Sequence, residues 1–232
     1  MMAVILVGGL GTRLRPLTSS VPKPLLCVGE RPILEIIIER LKRYGIDDLV
    51  LATGYQAEAV RALCGDGSRF GVTIRYVHEE KPLGTAGPLS LARTLLSGEE
   101  LFLVMNGDII TDLDFSSFVD AARTGGCDLT VACTNHVYRS PYGVLRLDGG
   151  AVVGVEEKPE QTFTVSAGLY CLRAGALELV PDGQFFTIPD LMNRLIAAGR
   201  RIEAYRIDGL WVTVENITDL PGALDAVKRL ES

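Results

Sequence analysis

Histidine is nearly missing from this 232-residue chain, with only His78 and His136 present. So few histidines argue against a zinc site. Cysteine is sparse as well: Cys27, Cys64, Cys127, Cys133 and Cys171 are odd in number, scattered, and form no Cys-x-x-Cys pair. They read as buried or incidental thiols of a reducing compartment, not as a disulfide frame. There is no long basic run, and the net charge of −6 makes nucleic acid or an anionic membrane a poor partner. No apolar run approaches transmembrane length. The chain enters an apolar segment at 3–7 without the basic flank and cleavage site of a secretory leader, so the expectation is a soluble, cytoplasmic protein. Apolar residues, in contrast, are abundant. At 47% hydrophobic and 22% charged, the chain can build a sizeable core and does not read as disordered.

Through the first half, short β-branched runs at 3–7, 49–53, 73–78 and 101–105 alternate with helical spacing at 33–44, 57–64 and 86–96. That alternation predicts an α/β fold with a parallel sheet covered on both faces. Ligands of such sheets bind at the carboxyl ends of the strands. The second half is richer in strands, at 129–134, 143–147, 152–156 and 166–172, with a hairpin turn at Asp148-Gly149-Gly150. A helix at 188–198, a strand at 202–206 and a helix from Leu220 complete it. Without a linker or repeat, the simplest organisation is one domain over 1–232. It would divide at about residue 110 into the alternating first half and the strand-rich remainder.

The strongest motif follows the first strand: Gly8-Gly9-Leu10-Gly11-Thr12-Arg13-Leu14-Arg15-Pro16-Leu17-Thr18, then Pro22-Lys23-Pro24. Glycines let the backbone approach a phosphate and aim N–H groups at its oxygens. Arg13 adds a guanidinium fork and Lys23 a mobile point charge, held between two prolines. A Walker A loop is excluded because no Gly-Lys pair exists anywhere in the chain. A dinucleotide-binding fingerprint would need glycine where Leu14 stands, which disfavours a nucleotide-dependent oxidoreductase. An ordinary glycine-rich turn would not explain Thr12-Arg13 and Pro22-Lys23-Pro24 together.

This segment resembles the signature of the sugar-1-phosphate nucleotidyltransferases, in particular the mannose-1-phosphate guanylyltransferase-like branch. The resemblance continues at Asn106-Gly107-Asp108, at Val155-Glu156-Glu157-Lys158-Pro159 and at Ala167-Gly168. It implies a Rossmann-like three-layer α/β sandwich with a mixed, mainly parallel sheet. It also implies transfer of a nucleotidyl group from a nucleoside triphosphate to a sugar 1-phosphate, with Mg²⁺ as cofactor. Arg13, Lys23 and Asp108 would be catalytic. Nucleotide contacts would come from Leu6, Gly8, Gly9, Gly11, Thr12, Arg13, Glu79, Gly84, Thr85 and Asp108. Sugar-phosphate contacts would come from Gly143, Glu157, Lys158, Ser166 and Gly168, with a serine at 166 where the family has asparagine.

Asp108 ends an apolar strand and so places a carboxylate at the sheet's carboxyl edge, where magnesium could share it with phosphate oxygens. Asp112 and Asp114 read as capping or surface groups. In the stretch 78–88, an ionised Glu79 accepts only, which suits the N1–H and N2–H₂ donors of guanine and favours GTP. A merely solvated Glu79-Glu80 pair stands almost level with that reading. The sugar stays open among mannose, heptose and aminosugar phosphates, and the oligomeric state is not readable.

One departure stands out. The family usually shows Trp-x-Asp-(Ile/Val)-Gly, whose aspartate is the second metal ligand, but here the segment is Trp211-Val212-Thr213-Val214-Glu215. Thr213 takes the aspartate position. Strand alternation would set Glu215 on the same face, where it could supply the missing carboxylate. The competing expectation is a catalytically weak regulator that binds nucleotide sugars.

Overall fold

The computed structural model describes residues 1–231. Its strands are β1 (Met2–Leu6), β2 (Cys27–Val28), β3 (Arg31–Pro32), β4 (Asp48–Thr53), β5 (Thr73–His78), β6 (Leu101–Asn106) and β7 (Ile109–Thr111). The second half adds β8 (Leu129–Arg139), β9 (Val144–Asp148), β10 (Ala151–Glu156), β11 (Glu160–Arg173), β12 (Ile202–Arg206) and β13 (Trp211–Thr213). The helices are α1 (Ile33–Arg43), α2 (Ala57–Cys64), α3 (Pro88–Ala92), α4 (Phe115–Gly125), α5 (Ile188–Ala197) and α6 (Leu220–Glu231).

Seven strands form one sheet in the order β12-β8-β11-β6-β1-β4-β5. β1 pairs in parallel with β4 and β6, β4 with β5, and β12 with β8, whereas β11 runs antiparallel between β6 and β8. The sheet is therefore mixed and mainly parallel, and it draws strands from both halves of the chain.

Period-2 burial divides the core between the two faces. Ala3, Ile5 and Leu103 face a cluster closed by α1, α2, α4 and α6, including Ile38, Val60, Phe118 and Ala226. Met2, Val4, Phe102 and Val104 face the other side, where Leu89 of α3 and Leu191 of α5 pack. These are the three layers that the sequence predicts.

Several elements differ from expectation. The helix predicted over 86–96 is α-helical only over Pro88–Ala92. Its first turn is taken up by a loop in which Ala86 and Gly87 N–H both donate to Phe186 O, at 2.9 and 2.8 Å. α4 carries no expectation from periodicity. Asp114 caps it, accepting from Ser117 N at 3.0 Å, in the capping role expected of that residue. β8 and β11 run beyond the predicted 129–134 and 166–172, because residues 134–139 and 160–165 pair with each other past the core. From there β9 and β10 extend as a separate two-stranded ribbon, turned at Gly149-Gly150 with φ of 52° and 91°. Among the described residues, no helix is long and apolar enough to cross a membrane.

Candidate active site

The loop after β1 sits at the carboxyl end of the central strands. Gly11 takes the left-handed conformation at φ 57°, and its carbonyl accepts from the buried Thr18 hydroxyl at 2.7 Å and from Leu14 N at 3.0 Å. A Cβ at Gly11 would be strained and would lie 2.9 Å from Thr18 Cγ2, so glycine is required there. With its base anchored by the buried Leu14, the loop leaves Arg13 70% exposed at the mouth of a cavity of about 450 Å³.

Every residue assigned to the nucleotide lines that one cavity: Leu6, Gly8, Gly9, Gly11, Thr12, Arg13, Glu79, Gly84, Thr85 and Asp108. Lys23 and Glu215 line it too, whereas Thr213 is not among the lining residues. The four charged groups meet directly. Lys23 Nζ is ion-paired with Asp108 Oδ2 and lies 3.7 Å from Glu215 Oε1, while Arg13 Nη2 lies 2.6 Å from Glu215 Oε2.

Glu215 reaches this cluster by a route that strand alternation does not describe, since β13 ends at Thr213. β13 pairs with β7 antiparallel, and Val214 N donates to Asp108 O at 3.3 Å. Asp219 then accepts from Glu215 N and Asn216 N at 2.8 and 2.7 Å, which fixes the turn. Trp211 anchors the strand by donating from Nε1 to Ala167 O at 2.8 Å.

Two carboxylates thus converge on one ammonium, and Asp108 Oδ1 is buried without a hydrogen-bond partner. An orphaned carboxylate oxygen on a residue lining this glycine-walled cavity suits a hard divalent cation, which favours oxygen ligands. Among the described residues, no three His, Cys, Asp or Glu side chains converge to hold a metal by themselves. A magnesium ion held by Asp108 and Glu215 would complete its shell with phosphate oxygens and water.

Glu79 is half-committed. Oε2 accepts from Leu83 N at 2.7 Å, and Oε1 lies so close to Gly8 that a side chain there would collide with it. Burial raises the Glu79 carboxyl above its ordinary value, partly offset by the Leu83 hydrogen bond. No motif points to Phe185, which is 67% exposed and lines the cavity with its ring edge toward Gly84. It arrives there because Phe186 N donates to Leu83 O at 2.8 Å, stitching 83–87 to a segment a hundred residues away.

The sugar-phosphate residues are not gathered in this way. Gly143 and Glu157 face each other on the ribbon, outside the cavity lining. Lys158 stands at the ribbon's return with φ 45°, rare for a non-glycine residue. Ser166 spends its hydroxyl on Tyr170 OH at 2.8 Å, and Gly168 abuts Asn106, a cavity residue.

The sequence profile described as Nucleotidyl transferase matches residues 2–228. The chain belongs to that family. Curated relatives in it include a mannose-1-phosphate guanyltransferase of Debaryomyces hansenii, 36% identical over 92% of this chain and 61% of the relative. A mannose-1-phosphate guanylyltransferase catalytic subunit beta of Danio rerio is 36% identical over 92% of this chain and 61% of its own length. The chain thus spans about three fifths of these nucleotidyl transferase relatives. Among solved structures, a Bacillus anthracis protein provisionally described as a glucose-1-phosphate thymidylyltransferase, in complex with sucrose, superposes with a TM-score of 0.78. It is 26% identical, over 97% of this chain and 94% of that one. HddC from Yersinia pseudotuberculosis, solved with GMP-PN, shares the fold at a TM-score of 0.76 and 24% identity, over 97% of this chain and 99% of its own.

Proposed function

We propose that this chain is a guanylyltransferase that joins GTP to a sugar 1-phosphate, with mannose 1-phosphate the first substrate to test, and releases pyrophosphate. The observation that carries the reading is the convergence of Arg13, Lys23, Asp108 and Glu215 on a glycine-walled cavity. The names of the curated relatives support guanine and mannose. We take residues 1–232 as one such unit, nucleotide side first and sugar side after about residue 110. The free, unpaired cysteines support a cytoplasmic setting.

In this reading, an oxygen of the sugar phosphate attacks the α-phosphorus as the bond to the bridging β-oxygen breaks and pyrophosphate leaves. The nucleophile is already anionic, so no covalent enzyme intermediate is required. Catalysis is positioning plus charge neutralisation. Backbone amides of the 8–12 loop receive phosphate oxygens, and Arg13 turns from Glu215 to the departing pyrophosphate. Lys23 moves from the carboxylates to the α-phosphate, and Lys158 steadies the attacking phosphate against repulsion. Magnesium on Asp108 and Glu215 would supply charge neutralisation at the triphosphate.

The regulator alternative rested on the loss of aspartate at 213. It is disfavoured by Glu215, which provides a carboxylate beside Asp108 and Lys23. The test is pyrophosphate release with magnesium across GTP, ATP, UTP, CTP and dTTP, each with mannose, heptose and N-acetylglucosamine 1-phosphates. Release with GTP and mannose 1-phosphate is expected. Silence in every combination from folded protein would reject the reading.

A further inference from the structure

The neighbouring phenylalanines at 185 and 186 have opposite surroundings. Phe186 is buried in the cluster that α3 and α5 close, whereas Phe185 is exposed on the cavity wall. Among the described residues lining that cavity, Phe185 is the one aromatic side chain. A single exposed ring is ordinary on an open surface, but one held in a ligand cavity by fixed backbone is a contact surface. The backbone here is well held. Phe186 N donates to Leu83 O at 2.8 Å, and Phe186 O accepts from Ala86 N and Gly87 N. Ile188 N donates to Thr85 Oγ1 at 2.8 Å, and Thr187 caps α5 through reciprocal bonds with Asp190. Glycine at 84 makes room for this approach. At φ 78°, a Cβ there would lie 2.7 Å from Phe186 O and 3.4 Å from Phe185 Cε2. With only two rotatable bonds on an anchored backbone, the ring has little entropy to lose when it meets a ligand.

Leu83 joins this ring to Glu79. Its N–H donates to Glu79 Oε2 at 2.7 Å, while its carbonyl accepts from Phe186 N. The glycine loop then gives the cavity a direction. A Cβ on Gly8 would collide with Glu79 Oε1, whereas one on Gly11 would lie 3.3 Å from Lys23 Cβ. Glu79 and Phe185 thus belong to one end, and Lys23 with its charged partners Arg13, Asp108 and Glu215 to the other. We infer, on the reading of this cavity as a nucleoside triphosphate site, that Phe185 stacks on the nucleobase and favours purines, while Glu79 reads the base edge. Stacking grows with the overlap of the rings, so the two fused rings of a purine gain more from a phenyl face than the single ring of a pyrimidine. It does not sense the groups on the base edge. Adenine and guanine therefore gain alike, and the choice between them falls to the acceptor, Glu79.

The test is calorimetry on the full chain with magnesium and no sugar phosphate, so that binding is read apart from turnover. The ligands are GTP, ATP, CTP and inorganic tripolyphosphate. Phe185→Ala should weaken GTP and ATP alike by about tenfold or more, CTP by less, and tripolyphosphate not at all. Phe185→Trp should hold or improve the purine affinities. Because the ring is exposed, neither variant should shift the melting temperature of the unliganded chain. Unchanged GTP affinity in Phe185→Ala, or a loss that extends to tripolyphosphate, would overturn the stacking role and leave the transfer reading standing. So would a Phe185→Ala whose one defect is a higher KM for the sugar phosphate, which would set the ring beside the acceptor instead. An equal loss for CTP would overturn the purine preference. Purine binding that depends on Phe185, in a chain that releases pyrophosphate with no substrate pair, would reject the transfer reading and keep the stacking role. A wild type that binds tripolyphosphate but no nucleoside triphosphate would overturn both.

Discussion

Lys158 pays for its position. A lysine at φ 45° ahead of a proline costs on the order of 1 kcal/mol, and such strain concentrates where a side chain must point somewhere particular. Lys158→Gly should therefore raise the melting temperature slightly. Turnover should fall about a hundredfold, with much of the loss in KM for the sugar phosphate. A variant both less stable and fully active would contradict this account. Glu79 makes a complementary case. Burial raises its carboxyl, so the folded state favours the protonated form, and this contribution to stability fades as pH climbs through the raised value. Glu79→Gln removes the buried charge and can still accept from Leu83 N. Its melting temperature should exceed that of wild type at neutral pH, and the gap should close below the ordinary glutamate value of 4.5. A gap of constant size across that range would mean that ionisation is not the cause.

At the scale of elements, the turn after β13 carries the greatest consequence. Asp219 is not among the residues lining the cavity, yet its two backbone hydrogen bonds hold Glu215 in place. Asp219→Ala should cost about 1 kcal/mol of stability, as lost caps do, and lower turnover about tenfold through Glu215. Calorimetry should show weaker magnesium binding to the nucleotide complex in that variant; unchanged affinity would detach Asp219 from the site. The same region shows what a sequence can convey. β1, β4 and β6 lie within a residue of their predicted bounds because both faces are buried, and the edge strand β5 does so because it still buries Ile74 on one face and Val77 on the other. β7 and β13 are three residues each, too short to display any period, so their pairing was invisible although it delivers Glu215. Arg13, Lys23 and Asp108 were legible because local motifs hold them. Phe185 was not, because it reaches the cavity through backbone bonds to distant residues.

For the whole molecule, burial sorts the thiols. Cys27 is exposed, while Cys64, Cys127, Cys133 and Cys171 are buried. Burial pushes the Cys64 thiol up to about 11 and Cys171 further still, so neither offers thiolate at neutral pH. Thiol titration of the native chain should show one fast-reacting group, abolished by Cys27→Ser, and all five in denaturant. Two or more fast groups would mean that the sheet's flanking layers open readily.

Lys23 also acts as an internal counterion. Lodged between Asp108 and Glu215, its ammonium keeps two neighbouring anions from standing uncompensated in the cavity. A divalent ion held by Asp108 and Glu215 alone would have to displace that ammonium and leave it without a partner. With a triphosphate present, Lys23 would pass to the phosphates, and every charge would be matched again. Metal and nucleotide should consequently load as a pair, each tightening the other by the same factor. Lys23→Gln should erase that mutual dependence, and magnesium titrations with and without GTP would reveal it.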